Sequence, residues 1–331
     1  MDAHDHGPRS PDITAGAGGG HDHPHEHFGP ADPSFLATRQ GVRTTWISLG
    51  ALAITAIIQL AVVLASGSVA LLADTIHNFA DGLTAIPLLI AFRLARRPPS
   101  RRYPYGYHRA EDLAGVFIVG MILASAVVAA FEAAQRLVHP RPMTHAWLVL
   151  AAGIVGAVGN ELVSVYRIRV GRRIGSAALV ADGLHARTDG LTSLAVVASA
   201  IGALAGFPRA DAVLSLLITL VIFSTLVQAA RSVLHRILDG TEETTITLIE
   251  TVAASIPGVE HVTGARARWT GHQLRAELSI DVEPLLSVEG GHGITEEVRE
   301  ALLRDVPRLT EAAVHVDPHE HRSHAGDRTP S

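Results

Sequence analysis

From Thr44 to Ala73 the chain carries no charged residue, a run too long for a single membrane crossing of about 20 residues. A Ser-Gly-Ser turn signal at Ser66–Ser68 divides it. This predicts a first helix over about 44–65 and a second from near Val69 to just before Arg93. Further apolar segments run near Leu113–Phe131, Ala146–Tyr166, Ala177–Ala205 and Ala212–Ala230. The expectation is an α-helical membrane protein with six transmembrane helices over residues 44–236.

Arginines orient these spans. Arg39 and Arg43 precede the first, Arg93, Arg96, Arg97, Arg101, Arg102 and Arg109 follow the second, and Arg167, Arg169, Arg172 and Arg173 follow the fourth. Arg231 and Arg236 follow the sixth, whereas the opposite side has only Arg136, Arg141 and Arg209. Basic residues stay on the cytoplasmic side, so both termini are expected there, with the protein in the cell (inner) membrane. All 27 basic residues are arginine. The net charge of −5 gives no reason to expect a nucleic-acid partner. Cysteine is absent, which excludes disulfides and thiolate metal sites, so any metal must be held by His, Asp, Glu or backbone oxygen.

Residues 1–43 are polar and rich in Gly, Pro and His, and read as a disordered cytoplasmic tail without a signal peptide. Its His4, His6, His21, His23, His25 and His27 form a tract suited to collecting metal. After the last apolar segment the composition becomes that of a soluble domain, over 237–318. "TTITLIETVAASI" reads as a helix, "VEHVTGARARW" and "QLRAELSIDVE" as strands about a Gly271 turn. "SVEGGHGITEEVREALLRDV" reads as a second helix and "EAAVHVDP" as a last strand. The order αββαβ predicts a ferredoxin-like α+β domain, followed by a His-containing tail over 319–331.

The most informative pattern lies inside the apolar helices. A-D-x-x-H-x-x-x-D-G-L-T occurs twice, at Ala73–Thr84 and Ala181–Thr192. Residues four apart lie on one helix face, so His77 with Asp81, and His185 with Asp189, each present an imidazole and a carboxylate together. Ionisable groups at membrane depth cost several kcal/mol and therefore face a protein interior or a wet cavity. Two such faces brought together supply an N2O2 donor set that suits tetrahedral Zn²⁺, with bonds of about 2.0–2.2 Å. Interhelical hydrogen bonding without metal is the plain alternative.

Six spans, the paired H-x-x-x-D motifs, "YPYGYHRAE" after the second span and the αββαβ domain together resemble the cation diffusion facilitator family. The resemblance covers about residues 40–318 and implies a homodimer exporting divalent metal from the cytoplasm in exchange for protons. It maps the transport site onto His77, Asp81, His185 and Asp189, and members with this ligand set are typically zinc transporters, with Co²⁺ or Cd²⁺ as further cargo. Asp74 and Asp182, three residues before each histidine, are expected to orient the imidazoles, or else to bond between helices or attract cations on the entry side. The resemblance also implies a cytoplasmic zinc site at His292, His315 and Asp317 with His261 as a substitute ligand, because Thr263 and Ser279 stand where members place histidine. It further implies a salt bridge between Arg109 and Asp239 at the membrane–cytoplasm junction. The competing classes are an intramembrane zinc hydrolase, which would need an open coordination position, and a membrane metal sensor. No prosthetic group is expected; zinc enters as substrate.

Overall fold

The structure is a computed structural model that describes residues 33–66, 85–138, 146–204 and 210–319. His77, Asp81, Asp74 and the six tail histidines His4, His6, His21, His23, His25 and His27 lie outside the described residues. The membrane part consists of α1 (Pro33–Ser66), α2 (Ala85–Ala95), α3 (Ala110–Val138), α4 (Ala146–Ile174), α5 (Ala177–Leu204) and α6 (Ala210–Ile237). The second part follows as α7 (Glu243–Ala254), β1 (His261–Thr270), β2 (Gln273–Val282), α8 (Val288–Asp305) and β3 (Leu309–Pro318).

Among the described residues, four helices are long and apolar enough to cross a membrane: Leu36–Val62, Ala110–Phe131, Trp147–Ile174 and Leu216–Ile237. The expected six are thus not all seen. The described part of α2 is short, and α5 has the length but carries Asp182, Arg187 and Asp189. Large apolar side chains such as Ile57, Leu64, Leu113, Phe131 and Trp147 point outward from the bundle, where lipid contact favours them. Inside, Ile118 and Ile122 of α3 pack with Ala181 and Leu184 of α5 and Ile222 of α6. A second cluster joins Leu88 and Phe92 of α2 to Val170, Ile174 and Leu179 of α4 and α5.

Helices α4 and α5 approach closely. A Cβ on Gly183 would stand 2.7 Å from Ile168 Cγ1 and 3.0 Å from Arg167 Cβ, so only glycine permits the contact. Arg167 corrects the reading of a basic loop: α4 runs on to Ile174, and Arg167 is buried inside the bundle rather than exposed in a connection. Arg231 and Arg236 likewise lie within α6.

In the second part β1 and β2 form an antiparallel hairpin, and β3 pairs parallel to β2 after the α8 crossover. The sheet order is β1-β2-β3. Ile249 and Ala253 of α7 and Val298 and Leu302 of α8 cover one face, against Leu274, Leu278 and Ile280. The αββαβ order matches the expectation, but a ferredoxin-like βαββαβ sheet has four strands and three are found among the described residues. The segment before α7 is the end of a membrane helix, so no strand precedes it.

The hairpin turn anchors this domain to the bundle. Gly271 has φ +60°, and a Cβ there would meet His108 O at 2.7 Å, so the turn requires glycine. Its N–H donates to Asp112 Oδ2 (3.2 Å). Next to it, His272 Nδ1 donates to Glu111 Oε2 (2.8 Å), with both side chains 1% exposed. His272 Nε2 lies 3.1 Å from Thr38 Oγ1 on α1. Asp239 adopts φ 57° where the chain leaves α6, and its Oδ1 accepts from Arg109 Nη2 at 2.8 Å.

Candidate metal-transport site

The described half of the predicted quartet lies on α5, where apolar flanks and the i, i+4 spacing place His185 and Asp189 on the same buried face. Their side chains are 1% and 4% exposed, with His185 Nδ1 3.7 Å from Asp189 Oδ1. That separation exceeds a hydrogen bond. It is close to the roughly 3.4 Å between ligand atoms of a tetrahedral ion with bonds of about 2.0–2.2 Å. A neutral imidazole and an ionised carboxylate at this spacing offer one nitrogen and one oxygen to a divalent cation.

Asp182 pairs across the helix interface. Its Oδ2 lies 3.0 Å from Arg167 Nη1, and the two side chains are 0% and 1% exposed. It therefore ties α5 to α4 rather than orienting the His185 ring. Sequence reasoning placed Arg167 in a loop and so missed this partner; the signal was an acidic residue in one apolar helix and an unexplained arginine at the end of the neighbouring one. Two residues beyond His185, Arg187 binds Glu161 of α4 with two hydrogen bonds, Nη2 to Oε1 at 2.7 Å and Nε to Oε2 at 3.2 Å. Gln59 of α1 is fully buried and donates to the Ala152 carbonyl at 3.3 Å.

The cytoplasmic ligand set is not brought together. Among the described residues, no group of three or more His, Asp or Glu side chains is arranged to hold a metal. His292 is exposed on α8 in the helical layer, whereas His315 and Asp317 stand on the open face of the sheet, 3.1 Å apart. His261 does reach that open face. A β-bulge at Thr263 shifts the register between Val262 and Gly264, which reverses the side-chain alternation and sets His261 opposite Asp281. There its ring stacks on His319 at 5.0 Å between centroids, and His319 Nδ1 lies 3.6 Å from Glu260 and 3.7 Å from Asp281.

Comparison with known proteins follows this division. Residues 45–238 match the family model described as the cation efflux transmembrane domain, and residues 241–319 match the cation efflux protein cytoplasmic domain. The probable cation efflux system protein Rv2025c of Mycobacterium tuberculosis is 51% identical over 306 residues, covering 92% of each chain. The manganese efflux system protein MneS of Bacillus subtilis is 23% identical, over 86% of this chain and 98% of its own. One solved structure of MamM is 31% identical over 24% of this chain and 85% of its own; its TM-score of 0.23 relates no folds.

Proposed function

This chain belongs to the cation efflux family, and from that premise we propose that it exports Zn²⁺ from the cytoplasm in exchange for protons, through His77, Asp81, His185 and Asp189. The family makes it a divalent-cation efflux transporter and not an enzyme. The observation that carries the site assignment is the buried His185–Asp189 pair in a membrane helix, repeated in sequence at His77 and Asp81.

Charge supports the assignment. Asp81 and Asp189 together offer two negative charges, which a divalent cation neutralises. Asp182 would make the local charge more negative, but Arg167 already balances it. Metal needs neutral imidazole and ionised carboxylate, so loading releases protons and protonation releases metal. Histidine titrates in the physiological range, so a site alternating between a less acidic and a more acidic side exchanges one for the other. The mixed nitrogen and oxygen donors favour Zn²⁺, with Co²⁺ and Cd²⁺ as further cargo, whereas Mn²⁺ prefers oxygen-rich sites. The manganese named for MneS is therefore the competitor to test. The arginine bias supports cytoplasmic termini and the resemblance supports a homodimer.

The test is transport by purified protein in sealed vesicles. Zinc movement should respond to an imposed pH gradient and exceed manganese movement, and Asp81→Ala and Asp189→Ala should each reduce it to background. Transport that survives both substitutions rejects the site, and indifference to the gradient rejects proton exchange.

A further inference from the structure

Where α4 ends and α5 begins, beside the end of α6 and the loop before β3, a cavity of about 320 Å³ opens. We propose that it binds a phosphate-bearing anion, with the headgroup of an anionic phospholipid as its source, a reading that rests on the helical bundle being the membrane domain. Arg172, Arg236 and Arg308 line it, together with Ser176 and Leu184, and no carboxylate does. Among the described residues none of the three arginines is within salt-bridge distance of a carboxylate, unlike Arg109, Arg167, Arg187 and Arg275, although Glu111, Asp112 and Glu242 attract Arg236 from further off. Like charges gathered in one cavity repel, and an anion bound between Arg172, Arg236 and Arg308 would relieve that repulsion.

Two of the three guanidinium groups, those of Arg236 and Arg308, are held by carbonyl and ring contacts rather than by a directly bonded carboxylate. Arg236 Nη1 donates to the carbonyls of Gly175 (2.6 Å) and Gly271 (3.0 Å), and its guanidinium lies 4.2 Å over the Trp269 ring. Arg308 stands 5.8 Å from the same ring, with Nη2 donating to the Arg172 carbonyl at 3.4 Å. Exposed Arg172 and Arg308 can turn N–H groups toward oxygen ligands in the planar geometry that guanidinium offers phosphate. The backbone is arranged to bring Arg308 in. Arg308 has φ 66°, unusual for a residue with a side chain, and a Cβ on Gly175 (φ 79°) would stand 2.9 Å from Arg308 Cδ. The α5 N-terminus, at Ser176 and Ala177, also borders the cavity and favours negative charge.

The lining is amphipathic. Val180 and Leu184 of α5 continue it away from the arginines as its apolar part, with Gln228 and Ser232 of α6 as polar lining. A phosphate at the guanidinium groups with an ester and chain start along those apolar residues fits this shape, and basic pockets between membrane helices take acidic headgroups by the same physics.

The test uses the purified full chain in detergent, with phosphatidylglycerol, phosphatidylcholine and inorganic phosphate as probes and native mass spectrometry and calorimetry as readouts. Arg172 and Arg308 are exposed and neither forms a salt bridge among the described residues, so the Arg172→Gln/Arg308→Gln double variant, which gives up the Arg308 contacts with Trp269 and the Arg172 carbonyl, should stay folded with a melting temperature lowered only slightly. The wild type should retain phosphatidylglycerol over phosphatidylcholine, and the double variant should bind it about thirty-fold more weakly. Binding of inorganic phosphate that the variant weakens, without a lipid preference, upholds the anion site with a soluble source. Phosphatidylglycerol retention equal in both proteins, or no binding of either probe, overturns it. These readouts need no metal movement, so they stand apart from the outcome of the transport test.

Discussion

The interior of the helical bundle and its junction with the αββαβ domain each contain an Arg–Asp pair at nearly the same distance. Arg167 and Asp182 lie 3.0 Å apart and are 1% and 0% exposed; Arg109 and Asp239 lie 2.8 Å apart and are 48% and 45% exposed. Geometry alone would rank them equal. Desolvation separates them: water solvates either partner of the exposed pair when the other is lost, whereas the buried pair has no substitute for its missing partner. The buried His272–Glu111 pair at the junction falls between, since its imidazole also meets Thr38. Burial of the partners, and not the distance between them, sets what each pair contributes.

The comparison breaks most visibly inside the bundle. Arg167→Met alone strands Asp182 and should destabilise the protein by about 3–5 kcal/mol, read as a lowered unfolding temperature in detergent. Arg167→Met with Asp182→Leu should recover most of that loss, because no charge is then left buried. A double variant as unstable as the single one would show that the pair contributes packing and not charge balance. At the junction, His272→Ala leaves Glu111 buried without its donor, a loss of about 1–3 kcal/mol. It should appear as faster amide exchange in the β1–β2 turn, with the sheet unaffected; unchanged exchange would mean that Gly271 and Asp112 suffice to dock the turn. The smallest effect belongs to Arg109→Ala, at about 0–1 kcal/mol. A clearly larger loss would mean that a second protomer covers Arg109 and Asp239, which would raise this pair toward the buried class.

Particular residues show how far a linear reading reached. The quoted strand and helix segments of the second part correspond to β1, β2, β3, α7 and α8 with borders moved by a few residues. Alternation, helical periodicity and the Gly271 turn are local signals carried by the residues that form the element. The i, i+4 placement of His185 and Asp189 was equally local. The bulge at Thr263 was not, since its effect on His261 depends on how β1 pairs with β2.

By itself the sequence determined the apolar runs, the succession αββαβ and the paired motif, because each follows from spacing along one segment. Only the tertiary structure decided that Arg167 lies inside α4 facing Asp182, that Glu111 receives His272, and that three arginines share one cavity. Those groups are distant in the chain, and the worth of a charge depends on which side chains replace its water. Neighbourhood and burial are properties of packed helices, so no spacing rule along one of them contains that information.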